Sequence, residues 1–132
     1  MKAAASSIIA LALAACVAPP PPGPPGDSWG GRGIALSLDA GGGRLEYDCA
    51  AGTIDEPLRP DAAGRFTASG THTPGHGGPD RIDQPPASFP ARYAGTVRGA
   101  EMRLEVDVPA RDLQLGPFTL RRGAEPVLLR CL

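Results

Sequence analysis

The stretch Glu101-Met-Arg-Leu-Glu-Val-Asp-Val108 decides how this chain folds. Met102, Leu104, Val106 and Val108 fall on one side of it, and Glu101, Arg103, Glu105 and Asp107 on the other. Side chains alternate in this way only along an extended backbone, so the stretch predicts a strand with one face in a core and one in water. Just upstream, Tyr93 and Val97 share a face while Arg92, Thr96 and Arg98 take the opposite one. Between the two runs, Gly99-Ala100 fits the Gly-X pattern of a two-residue type II′ hairpin turn.

The same period of two recurs outward in both directions. Ile34, Leu36 and Leu38 alternate before a turn at Asp39-Ala-Gly-Gly-Gly43; Leu45, Tyr47 and Cys49 then alternate with Arg44, Glu46 and Asp48. The segment 52–58, "GTIDEPL", supplies a further strand with Pro57 marking an edge or bend. Asp61-Ala-Ala-Gly64 predicts a turn ahead of a strand from Arg65 to His72. Leu113 and Leu115 give way to Phe118 and Leu120, and this change of parity at Gly116-Pro117 predicts a bulge. The segment 121–126, "RRGAEP", turns the chain into a last strand, Val127 to Cys131. About eight short strands joined mostly by tight turns predict an all-β fold, a small antiparallel meander. Closing such a meander into a barrel removes its open edges, which favours a closed or nearly closed barrel over a two-sheet sandwich.

Composition narrows the function classes. The 132 residues hold one lysine, Lys2, and without the first fifteen the chain carries twelve Arg against fourteen Asp and Glu, a formal charge of −2. A near-neutral chain without basic clusters argues against nucleic acid or an anionic membrane surface as the main partner.

The N-terminus reads as a leader. Lys2 begins it, and Ile8 to Leu13 forms an Ala-rich apolar stretch well short of the roughly twenty residues a transmembrane helix needs. Leu13-Ala14-Ala15-Cys16 resembles the lipobox of bacterial lipoproteins, an aliphatic residue and two small ones before a cysteine. The resemblance implies cleavage before Cys16, a diacylglyceryl group on its thiol and acylation of the new amino terminus. This covalent lipid is the one attached group expected, with no further cofactor. Each buried methylene of an acyl chain contributes about 0.8 kcal/mol, so three chains anchor the protein firmly. In the same family an Asp after the cysteine favours the inner membrane; Val17 stands there, which leans toward the outer membrane, facing the periplasm. Pro19 to Pro22, Pro24 and Pro25 then favour polyproline II, a semi-rigid spacer of about 30 Å that holds a domain off the bilayer. The organisation expected is a leader over 1–15, a lipidated cysteine and Pro-rich linker over 16–28, and a barrel-like domain over 29–132.

With Cys16 acylated, Cys49 and Cys131 remain as an even pair in an oxidising compartment and are expected to form a disulfide. The bridge would tie the last residues to the second strand.

The longest break between strands, 73–90, is rich in Pro and Gly. Together with its flank it offers His72, His76, Asp80 and Asp83, a set of N and O ligands that zinc accepts. No helix aligns the two histidines, so an exposed loop with incidental histidines is the competing reading. A His76–Asp80 pair has the composition of a general base, yet nothing nominates a nucleophile. Asp55 and Glu56 would point to opposite faces of a strand. These observations disfavour an enzyme.

Three resemblances bear on the domain. The Trp29-Gly30-Gly31 opening and the late Arg121 and Arg122 resemble lipocalin-like and avidin-like barrels, where a Trp near the first strand plugs one end and an Arg often packs on it. That likeness implies a small apolar ligand, with Trp29 and Tyr93 lining its pocket. The pattern "WGG…DCAAGTIDEPL…RCL" also resembles small bacterial lipoproteins with no assigned activity. A strand opening on Leu45-Glu-Tyr-Asp-Cys49, with a partner cysteine near the C-terminus, is similar to periplasmic lysozyme inhibitors; Ala68-Ser69-Gly70 is the nearest match to their Ser-Gly loop. The function expected is a non-catalytic binding or structural role in the envelope, its partners the membrane and an envelope protein, with hydrolase inhibition and ligand binding as alternatives.

Overall fold

The computed structural model describes residues 27–76, 78–79, 82–83 and 86–131. Cys16, the proline tract and Asp80 lie outside the described residues. Eight strands, β1 (Asp27–Gly31), β2 (Ile34–Asp39), β3 (Gly42–Tyr47), β4 (Ala50–Ile54), β5 (Arg65–Pro74), β6 (Phe89–Arg98), β7 (Glu101–Val108) and β8 (Leu113–Arg122), follow one another around a closed barrel. Every neighbouring pair is antiparallel, and β1 closes on β8 through Trp29↔Arg122, Gly30↔Arg121 and Gly31↔Leu120. The sandwich alternative is thereby set aside.

The hydrophobic alternation becomes the inside and outside of this wall. Met102, Leu104, Val106 and Val108 are all buried, and they join Ile34, Leu36, Leu45, Phe66, Tyr93 and Leu120 in one core. The hairpin at Gly99-Ala100 connects the paired Arg98 and Glu101, with Gly99 at φ 57°. At β8 the register against β7 shifts between Leu104 and Val106, opposite Gly116-Pro117, whose peptide bond is cis. The extra residue there swaps parity, so that Leu113 and Leu115 before it and Phe118 and Leu120 after it all pack against the core.

Two expectations are corrected. Val127 to Cys131 is not a strand. Closure uses β1 instead, and once β8 pairs with β1 no edge remains for a further strand. The tail crosses the outer face of β1 and forms an isolated parallel bridge just beyond it, Arg32↔Val127. The Gly33 N–H donates to the Val127 carbonyl (2.7 Å), and the Val127 N–H donates to the Gly31 carbonyl (3.1 Å). Gly30 permits this crossing, because a Cβ there would lie 2.1 Å from the Ala124 carbonyl oxygen. The second correction concerns Cys49. It is not a strand position of the Leu45–Tyr47 alternation but part of the Asp48-Cys49 turn, with φ at 56°. The Cys49–Cys131 disulfide, Cα atoms 4.8 Å apart and 82 residues apart in sequence, therefore ties the tail to the β3–β4 turn rather than to the second strand.

Candidate functional site

The two ends of the barrel differ. At the end where β8 finishes, Trp29 is buried, and the Arg122 guanidinium lies 4.8 Å over its ring. The Trp29 indole N–H donates to Asp27 Oδ2 (3.0 Å), and Arg122 Nε lies 3.5 Å from Asp27 Oδ1. This end is plugged. Tyr93 sits fully buried in the middle of the barrel, its hydroxyl donating to the Thr71 carbonyl (2.8 Å). Trp29 and Tyr93 are thus elements of a packed core.

The opposite end, with the β1–β2, β3–β4, β5–β6 and β7–β8 connections, holds a cup of about 460 Å³. β3 contributes Tyr47, β4 Ala50, β5 His72 and Pro74, and β8 Leu113, Leu115 and Phe118, while Gly33 and Asp48 form part of the rim. The Tyr47 ring centroid is 5.8 Å from that of His72 and 5.8 Å from that of Phe118. Arg111, on the short 3-10 turn Pro109–Arg111, stacks over Phe89 at 5.1 Å.

His72 is only 2% exposed, because Phe66, Ala68, Gly70 and His72 follow one another on the inward face of β5. Its Nδ1 is buried with no hydrogen-bond partner among the described residues. The Tyr93 hydroxyl gives its proton to Thr71 and lies beside that of Tyr47, so its oxygen is placed to accept the Tyr47 proton. Burial first, and the nearby Arg111 charge second, lower the His72 pKa from its ordinary value, so the imidazole is held neutral. Burial pushes both phenols up, Tyr47 the more strongly. Tyr47 and His72, which border the cup, are therefore both uncharged.

The remaining candidate residues do not join it. His76 and Asp83 lie on the 75–88 connection, exposed, and among the described residues no three His, Cys, Asp or Glu side chains cluster to hold a metal. Ala68-Ser69-Gly70 lies inside β5, bonded on both sides, and forms no protruding loop. A larger cleft, about 520 Å³, opens on the outer wall at the β7–β8 register shift. Its Arg92 faces Asp107 across β6 and β7, with Glu105 beside them, and among the described residues no unpartnered buried polar group marks it. The cup is the better candidate. Its convergence of Tyr47, His72 and Phe118 had a sequence signal in part: the spacing 66-68-70-72 carries the inward face of β5 through to His72. Comparison with protein-family models, with curated proteins and with solved structures finds no match to this chain.

Proposed function

We propose that this protein is a lipid-anchored envelope protein whose barrel is a non-catalytic binding module, receiving a small ligand in the cup between Tyr47, His72 and Phe118. The carrying observation is His72 Nδ1, a buried polar atom with no hydrogen-bond partner among the described residues, on a side chain that borders the cup. A buried polar group without a partner costs about 1–3 kcal/mol, and a barrel keeps such groups at little net cost where a ligand completes them. Catalysis is disfavoured by the same geometry. Among the described residues His72 has no carboxylate at its Nδ1, and Cys49 beside the cup is held in the disulfide. The anchor rests on the lipobox at Cys16, with the membrane as partner and the outer membrane, facing the periplasm, as its place.

Two experiments test the reading. Membrane fractionation and intact mass of the full chain are expected to show three acyl chains on residue 16, and Cys16→Ser to release the protein from the membrane. Titration of that soluble Cys16→Ser chain with the uncharged fluorophore N-phenyl-1-naphthylamine is expected to saturate at one site. Amide shifts should concentrate at Tyr47, His72, Leu113 and Phe118. Shifts spread over the outer wall, or no saturation, would refute the ligand site.

A further inference from the structure

We infer that the outer wall of the barrel at its plugged end docks on an anionic bilayer, with arginines from four successive strands pairing with lipid phosphate groups. The choice of a bilayer rests on the lipid-anchored reading above; the arginine cluster is independent of the cup.

Arg65 on β5, Arg98 on β6, Arg103 on β7 and Arg121 on β8 are all exposed. Register brings them together. Arg65 and Arg103 stand on either side of Thr96, and Arg98 and Arg121 on either side of Glu101. With strands about 4.8 Å apart and a rise of about 3.3 Å per residue, the four Cα atoms fall within about 16 Å of one another. No two of the four are neighbours in the sequence, so composition shows no basic cluster and the folded wall makes one.

The cluster is unsatisfied. Glu101 and Glu105 share the wall with the four arginines, which leaves a net charge of +2. Among the described residues none of the four is held in an ion pair; the pair at this end joins Arg122 to Asp27. Asp61, ahead of β5, accepts the Ala63 and Arg65 N–H groups. Asp39 ends β2, and Asp55 and Glu56 follow β4, away from the β6–β7 hairpin. The barrel therefore meets an anionic surface along its β5–β8 wall and not head-on. A guanidinium is a planar fork that pairs with two phosphate oxygens at once.

The wall also has seats for headgroups. Thr96, Arg98, Glu101 and Arg103 line a shallow cleft of about 470 Å³. Arg65 and Arg103 border a second, of about 330 Å³, floored by the short side chains of Thr67, Ala94 and Thr96.

Position selects lipid among the sources of phosphate. The chain outside the described residues joins the barrel at Asp27, at this same end. A spacer of about 30 Å that pivots at an anchored Cys16 limits how far this end stands from the bilayer and lets it touch down. Held that close, a weak charge contact suffices, because the tether keeps the effective concentration high.

The test pellets the Cys16→Ser chain with vesicles of phosphatidylcholine alone, or of phosphatidylcholine and phosphatidylglycerol in equal parts. Apolar insertion of the leader acts alike on every variant, so a difference between variants reports the wall. At about 20 mM salt the anionic vesicles are expected to bind about thirty-fold more tightly, about five-fold for each net charge, and the preference should shrink several-fold at about 150 mM. Arg98→Gln with Arg121→Gln should bring it within about two-fold of neutral vesicles, and Glu101→Gln should raise it about five-fold, a gain that loss of fold would not produce. Arg32→Gln with Arg130→Gln removes the same charge at the open end and should change nothing. If neutral and anionic vesicles bind alike, if the open-end pair matters as much as the wall pair, or if soluble polyphosphate binds and anionic vesicles do not, the inference falls. Intact mass of the full chain judges the anchor separately. Acylation without an anionic preference leaves the anchored reading standing and removes the docking wall; a preference without acylation does the reverse.

Discussion

The guanidinium of Arg122 lies 4.8 Å over the ring of Trp29, on the pair of residues that closes the barrel, and Asp27 holds both of them. Arg122 is half exposed, so its cation–π contact contributes about 0.5–1 kcal/mol and its 3.5 Å ion pair adds little. Trp29, in contrast, is buried where β1 meets β8. Trp29→Ala is expected to cost about 3–5 kcal/mol and Arg122→Ala about 1 kcal/mol, read as shifts in urea midpoint at constant slope.

Gly52 and Tyr93 form a second such pair. A Cβ on Gly52 would lie 2.6 Å from the Tyr93 hydroxyl and 2.9 Å from the Thr71 carbonyl to which that hydroxyl donates. Gly52→Ala is expected to destabilise by about 2 kcal/mol through overpacking, and Tyr93→Phe by about 1 kcal/mol through the lost hydrogen bond. In the double variant the nearest clashing atom is gone, so the combined cost should fall below the sum. Strict additivity in a double-mutant cycle would show that the two positions do not meet.

The Cys49–Cys131 bridge spans 82 residues. Chain entropy puts the stabilisation from closing such a loop near 4.5 kcal/mol, a large part of the 5–15 kcal/mol typical of a small domain. Reductant should therefore lower the melting temperature steeply, and the Cys49→Ala/Cys131→Ala double variant should match the reduced protein and no longer respond to reductant. An unchanged melting curve on reduction would mean that the tail's backbone hydrogen bonds at Gly31 and Gly33 already hold it.

Stability should also depend on pH through His72. Its pKa in the fold is lowered from the ordinary value of about 6.5, so the unfolded chain takes up the proton first as pH falls. The contribution is constant above about pH 7, declines from about 6.5 down to the lowered value, and is level below it. Urea midpoints between pH 8 and 5 are expected to show this decline in the parent and in His76→Gln, and to lose it in His72→Phe. A slope that survives His72→Phe would assign it to another group.

Much of the fold was legible residue by residue. The alternation of 101–108, the Gly99-Ala100 hairpin and the parity break at Gly116-Pro117 are all in the structure where the sequence puts them. The last strand was misread for a physical reason. Val127-Leu128-Leu129 looks like a strand in isolation, yet Asp27-Ser-Trp-Gly-Gly31, with two glycines and little alternation, is the one that pairs. Strand pairing depends on the partner edge as much as on the segment's own propensity. His72 was read with the Gly-rich connection that follows it, although its parity with Phe66 and Ala68 pointed inward.

What the sequence by itself determined is the part that repeats every two residues: which side chains share a face and where hairpins fall. Alternation belongs to the backbone of each segment and needs no knowledge of the rest. Tertiary structure alone decided that β1 meets β8, that Trp29 plugs one end, and that Tyr47, His72 and Phe118 meet at the other. Those outcomes follow from the register accumulated around eight strands, including the shift at β7–β8, and no single segment encodes that sum.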